Sequence, residues 1–272
     1  MTTPARRRRW IIAGVVVGAL GAGMIAFAIA WSNRGAEPVA TRDVVERYRS
    51  GSRGDESGGF LRPDAGVYRY VASGSERLSL GGTEQQWGPV MPATVRHRAD
   101  GCWSLRIDFS TNHWRSQRYC PGIDALLDVG GTVFQRFDFV AFSATDTSVF
   151  SCDPPSVVIR VAAAPGDSWA ASCTGRSTER STRVESTGTN TFVGVEDLDV
   201  GGRVVPAYHY RLQRTLAGDQ TGTEDTHEWY ATATGLLLRA THDSRVASPS
   251  PFGDVVYTEV GEFRLRSTRP RR

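Results

Sequence analysis

Five histidines, His97, His113, His209, His227 and His242, are the residues best suited to acid–base or metal chemistry near neutral pH. His209 and His227 carry most weight, because they flank Ala217-Gly218-Asp219-Gln220, a turn sequence that would pair their strands. In one hairpin register they become cross-strand neighbours, with Glu228 alongside and Asp225 or Asp243 available as a further ligand. Scattered histidines on wet sheet faces are the commoner outcome, so no metal site is expected. His242-Asp243-Ser244 holds the residue types of a triad in succession, but strand neighbours point to opposite faces and do not converge. No G-x-S-x-G elbow, phosphate-binding glycine loop or H-E-x-x-H pair occurs. The expectation is no catalytic residue, no metal and no cofactor, hence a protein that is not an enzyme.

Aromatic rings and thiols are the other residues with a chemical use. Among the tryptophans and phenylalanines, Trp103, Phe137, Phe139, Trp169 and Trp229 are the candidates to line a cavity for an apolar ligand. Filling a β core is the competing use of the same rings. Cys102, Cys120, Cys152 and Cys173 show neither C-x-x-C nor zinc spacing, so two disulfides are expected, with the sequential pairing favoured among three. For the first pair there is a geometric reason. CWSLRIDFSTNHWRSQRYC reads as two strands around Ser110-Thr111-Asn112. A register that sets Phe109 opposite His113 also sets Cys102 opposite Cys120, where Cβ atoms come close enough to bridge.

The elements that must position these side chains read as strands. From Gly66 onward, short β-branched and aromatic runs alternate with Gly, Pro, Asp and Asn. Strands are predicted over 67–73, 76–80, 95–98, 102–109, 113–119 and 132–142. Further strands follow over 156–162, 168–174, 178–186, 191–196, 203–216, 221–232, 236–241 and 255–267. The fold class expected is all-β, an antiparallel curved sheet, barrel or half-barrel, preceded by one transmembrane α-helix. Trp103, Leu105, Ile107 and Phe109 share one face of their strand, with Ser104, Arg106 and Asp108 on the wet side. Strand 132–142 is apolar on both faces, which predicts a central position or a bulge. The run 178–185 has almost nothing to bury and reads as a solvated edge.

Ahead of the strands, residues 10–31 form 22 residues without a charge, bounded by Trp10 and Trp31. As a helix they span roughly 33 Å, enough for a bilayer core. Arg6 to Arg9 precede the run, which keeps the N-terminus in the cytoplasm and sends the rest across. Ala28-Ile29-Ala30 resembles a cleavage site, so a removed signal peptide is the alternative; both readings export the same domain. Gly14, Gly18 and Ala22 would give one smooth helix face for a homodimer. The expected layout is a cytoplasmic tail 1–9, transmembrane helix 10–31, flexible stalk 32–62, extracytoplasmic β domain 63–269 and tail 270–272. Within the stalk, 41–48 suits a short helix capped by Thr41. The chain has 272 residues, no lysine, and 32 arginines against 29 acidic residues. With four arginines ahead of the apolar run, the remainder is near neutral, which argues against nucleic acid as a partner.

The stretches Pro63-Asp64-Ala65-Gly66-Val67-Tyr68-Arg69-Tyr70, Gly74-Ser75-Glu76, Leu80-Gly81-Gly82 and Gly101-Cys102-Trp103 resemble uncharacterised actinobacterial membrane-anchored proteins with an exported β domain. Gly202 to Ala207, Glu228-Trp229-Tyr230, Gly235 to Arg239 and Gly253 to Tyr257 extend that resemblance, which implies no activity. The order of a polar hairpin, an aromatic strand and a Gly-Leu-Leu-Leu-Arg strand is also similar to bacterial lipoprotein carriers, whose curved sheets accept acyl chains. Together these readings predict a single-pass cell-membrane protein whose outer domain binds an envelope protein or an apolar ligand. An envelope hydrolase with a site built from distant strands, or a domain for display alone, is the alternative.

Overall fold

Nearly every residue beyond position 65 lies in a strand or a short connection. The computed structural model describes residues 36–51, 57–79, 84–139, 143–250 and 253–272. The expected tail 1–9, helix 10–31 and its Gly14, Gly18 and Ala22 face lie outside the described residues. Among the described residues no helix is long and apolar enough to cross a membrane. The elements are α1 (Thr41–Ser50), then β1 (Gly66–Leu78), β2 (Glu84–Gln86), β3 (Val90–His97), β4 (Trp103–Ser110), β5 (His113–Pro121) and β6 (Ala125–Asp138). They continue with β7 (Ser143–Arg160), β8 (Ser168–Ser177), β9 (Arg183–Asp199), β10 (Val204–Gly218), β11 (Thr221–Ala231), β12 (Leu237–Ser248) and β13 (Val255–Leu265).

Strands follow one another antiparallel in sequence order, and β13 returns to pair with β1 from Tyr70–Leu265 to Leu78–Tyr257. The sheet therefore closes into an up-and-down barrel of 12 strands, with β2 an extra strand on the upper half of β1. Of the three sheet forms expected, the barrel is the one that forms. Closure removes free edges, so the expected edge strand at 178–186 does not exist: 178–182 is a connection and the rest opens β9, paired on both sides. The expected strands 67–73 and 76–80 are one strand, β1. β6 is paired on both sides, by β5 and β7, so the stretch expected over 132–142 is interior to the sheet over its described strand residues. The register irregularities with β7, at Leu126/Leu127 and Asp128/Gly130, fall before that stretch.

The outward residues of β9 to β13 include Arg183, Glu185, Arg211, Asp225, Asp243, Arg245 and Glu262. Charges of both signs on that face suit water rather than the apolar band of a membrane barrel. The hairpins at 97–103, 199–204 and 231–237 define a lower end, and those at 110–113, 177–183 and 218–221 an upper one. Below, Tyr68, Tyr70, Trp103, Leu126, Ile159 and Tyr230 fill the bore together with Leu61. Tyr70 donates to Leu237 O at 2.6 Å and Trp103 Nε1 to Leu61 O at 3.0 Å, so the buried rings leave their polar ends satisfied.

Leu61 is fully buried, and α1 packs Val44, Val45 and Tyr48 on Val67 from outside the barrel. The expected flexible stalk 32–62 is thus corrected over its described parts, because its apolar residues find a barrel surface to cover. Its helix runs Thr41–Ser50 behind Ala40, and Thr41 does not cap it. The tail 270–272 is likewise held: Val67 and Arg271 exchange backbone hydrogen bonds at 2.8 Å, and Arg272 Nε donates to Ala65 O. The chain enters at the upper rim, where Thr111 N donates to Glu37 O at 2.9 Å and Glu37 N donates to Thr111 Oγ1 at 3.1 Å.

Both disulfides pair in sequence, Cys102–Cys120 and Cys152–Cys173, with Cα atoms 4.2 and 4.1 Å apart. The ladder from Trp103–Tyr119 to Asp108–Trp114 continues to the first bridge as expected. The Phe109–His113 pair does not form: Phe109 is bulged and Ser110 faces His113, although the two rings still stack at 4.5 Å.

Candidate functional site

Twelve strands make a bore wider than side chains alone can fill, so an internal space is expected on geometry. Two cavities occupy it, of about 260 Å³ above and about 200 Å³ below. They meet at Arg115, Val133, Phe150, Leu216 and Glu224. Phe137, Phe139 and Val246 wall the upper one, which reaches the upper end beside Arg180, Gln220 and Ser248. Ile107, Phe109 and Phe263 underlie the lower one. Trp87 closes one side by lying over the directly paired Gly74 and Gly261; a Cβ on Gly74 would sit 2.6 Å from its ring.

The walls carry many titratable groups. Glu76 on β1 lies opposite Glu259 on β13, and the Tyr257 hydroxyl reaches both carboxylates, at 3.0 and 2.9 Å. A hydroxyl has one proton, so it donates to one of them at a time. Gln135 Nε2 donates to Tyr257 Oη at 2.7 Å. His113 Nδ1 stands 3.1 Å from Glu76, and Arg115 Nη2 3.8 Å from Glu259. Lower down, Glu228 accepts from Tyr230 at 2.5 Å, and Asp128 accepts from Gln117 and from Gly130 N. Asp146 accepts from Ser148 and Ser177.

Burial sets the protonation of this wall. It pushes the Glu224, Glu228 and Asp128 carboxyls up, and hydrogen bonds to Asp128 and Glu228 only partly offset it. Burial also drives the His242 imidazole well down, with Arg115 and His113 adding to the effect. His113 is buried too, yet the Glu76 charge prevails and its value rises. Groups displaced in opposite directions around one cavity mark a candidate site.

The expected lining residues divide. Phe137 and Phe139 line the upper cavity. Trp103 lies in the packed lower core, and Trp169 packs edge-on against Tyr210 with Nε1 donating to Val157 O. Trp229 is a correction: it points away from the lumen, because Glu228 and Tyr230 beside it on β11 point in. It stacks on His209 at 4.1 Å with Arg239 over its ring, so its aromatic area is covered on the outer face.

His209 and His227 do meet there. His209 Nε2 lies 2.8 Å from His227 Nδ1, and His209 Nδ1 lies 2.6 Å from Glu196. The carboxylate partner is Glu196 rather than the expected Glu228, which turns inward; Asp225 is taken by Arg211. His242 and Ser244 face the lumen and Asp243 does not, so the three consecutive residues diverge. Among the described residues one cluster brings three ligand-type groups within 4.8 Å, Asp128 with Cys152 and Cys173. Both sulfurs there are bonded to each other, which removes them as metal ligands.

Sequence reasoning missed the luminal carboxylates and Arg115. The signal was present in β11, where Glu224, Thr226 and Glu228 alternate with Asp225 and His227, polar on both faces. A paired strand with no apolar face must turn one polar face inward.

No family model matches the chain, and no curated protein matches it. A solved structure described as a "putative lipoprotein" from Parabacteroides distasonis is similar in fold at a TM-score of 0.38 and 12% identity, covering 78% of this chain and 99% of its own.

Proposed function

We propose that this protein is a single-pass membrane protein whose barrel stands outside the cytoplasm and holds a small, partly apolar ligand in its lumen. The observation that carries this reading is the pair of joined cavities walled by Phe137, Phe139 and Phe150 and reaching the upper end of the barrel. Two disulfides support an oxidising location, and the charged apolar-run flank of Arg6 to Arg9 supports the orientation. The ligand expected from aromatic composition alone was apolar; the carboxylates and Arg115 on the wall call for a polar group on it as well. Native mass spectrometry of the full chain released from lipid nanodiscs tests the reading. A bound small molecule, lost when Phe137→Trp narrows the cavity, is the expected result; a mass equal to the bare chain in every preparation overturns it. For location, a tag fused after Arg272 should be digested by protease added to intact cells, and protection of the tag would refute export.

A hydrolase is the second reading, favoured by the Glu196–His209–His227 chain, in which each group orients the next. Among the described residues no Ser, Thr or Cys side chain is hydrogen-bonded to His209 or His227, so binding is the better-supported function.

A further inference from the structure

The lumen holds more carboxylates than cations. Glu76 and Glu259, Asp128 and Asp146, and Glu224 and Glu228 all turn inward. Arg115 and Arg214 face them, and Arg180 stands at the upper end. His113, drawn toward its charged form by Glu76, adds a further positive charge, whereas His242 is driven neutral. With all six carboxylates ionised the balance is negative, six against Arg115, Arg214, Arg180 and His113. Burial of Glu224, Glu228 and Asp128 reduces that excess by favouring their protonated forms. Two carboxylates on this wall, Glu224 and Glu259, keep oxygens with no hydrogen-bond partner among the described residues. Glu224 makes no hydrogen bond and no ion pair among the described residues, and lies where the two cavities join. Glu259 lines the upper cavity and is 3% exposed; its Oε2 accepts from Tyr257 and lies 3.8 Å from Arg115, while its buried Oε1 has no hydrogen-bond partner.

Resting on the luminal-ligand reading above, we infer that the ligand is an organic cation: a protonated amine on an apolar body, its ammonium between Glu224 and Glu259 and its body against Phe137 and Phe139. An inorganic cation fits less well, because these carboxylate oxygens do not converge as a divalent ion requires. An anionic amphiphile would have Arg115 and Arg214 as its partners, and would meet the six carboxylates of the same wall. The aromatic wall suits a cation, whose charge is attracted to ring faces. Burial has pushed Glu224 and Glu228 toward their protonated forms, so a bound ammonium would take the place of protons and release them.

Calorimetry on the full chain in lipid nanodiscs, with protein-free nanodiscs subtracted, tests this with octylammonium, octanoate and octanol. Octylammonium should bind at least about tenfold more tightly than the other two. Its binding enthalpy should change with buffer ionisation heat, the sign of proton release, and its affinity should fall as pH drops through the raised Glu224 value. Glu224→Gln should weaken it about tenfold; this variant breaks no hydrogen bond, and retention of both disulfides and of the circular dichroism checks its fold. Equal or tighter binding of octanoate or octanol overturns the cation while leaving a ligand-binding lumen standing. Octylammonium binding that ignores Glu224→Gln and releases no protons also overturns it. No binding by any probe overturns the inference, and native mass spectrometry then decides separately whether the lumen holds a ligand.

Discussion

His242 shows how the lumen couples single side chains to pH. Its ring packs against Phe263 at 5.7 Å and Trp87 at 6.1 Å, and burial beside Arg115 and His113 holds it neutral. An unfolded imidazole takes a proton near pH 6.5, whereas folded His242 does so only at much lower pH. Its neutral burial therefore costs stability progressively as pH falls below about 6.5. His113 has the opposite sign: its raised value gives stability that is full below about pH 6.5 and is lost as pH rises through the folded value. Glu224, Glu228 and Asp128, also raised, favour the fold toward acid as well. Only a difference between variants isolates His242. His242→Phe keeps an aromatic ring that never charges, so its melting temperature relative to the parent protein should be higher at about pH 5 than at about pH 7. A relative shift that is the same at both pH values would show that His242 is not the group responsible.

Among the elements, the β4–β5 hairpin is the one whose structure follows most directly from its residues. Its alternation put Trp103, Leu105, Ile107 and Phe109 inside, and the ladder it implies ends at Cys102–Cys120. Closing that loop of 18 residues contributes about 3 kcal/mol on the chain-entropy account. Replacing both cysteines, Cys102→Ser with Cys120→Ser, should lower unfolding free energy in denaturant by about that amount while Cys152–Cys173 persists. A loss well under about 1 kcal/mol would mean the register is held by side-chain packing instead. Elsewhere the alternation fails for a physical reason. In β7 the inward residues include Asp146 and Ser148, and in β11 Glu224 and Glu228, because the upper bore is a polar cavity rather than a packed core. Apolar-in and polar-out holds only near the lower end, so strand limits were legible in β4 and β5 and not over 143–155. The same polarity hid the site: buried charge leaves no hydrophobic pattern, and the aromatic residues that did stand out belong partly to the core and, for Trp229, to the outside. The docking of α1 was also illegible, since Val44, Val45 and Tyr48 match a surface formed only when Val67 and its neighbours close the barrel.

At the scale of the whole molecule, the place of Glu37 on the barrel would set which end faces a membrane if residues 10–31 cross one. Glu37 is bonded to Thr111 at the upper rim, and the cavity reaches that same end. The link from Trp31 to Glu37 is six residues and spans at most about 20 Å even when fully extended. If residues 10–31 cross the bilayer, the upper end is held close to the lipid, whereas the lower end lies a strand length further out. An amphiphile leaving the outer leaflet would then meet the cavity before it met bulk water. Labelling separates the two ends, because among the described residues no cysteine is free. Thr221→Cys places a spin label at the upper end and Arg203→Cys one at the lower, both on exposed positions. In nanodiscs carrying a paramagnetic headgroup, relaxation of the label at 221 should be strongly enhanced and that at 203 little changed. Equal enhancement at both positions would mean the barrel tumbles freely on its tether, and the reverse pattern would turn the cavity away from the bilayer and remove the membrane as its source of ligand.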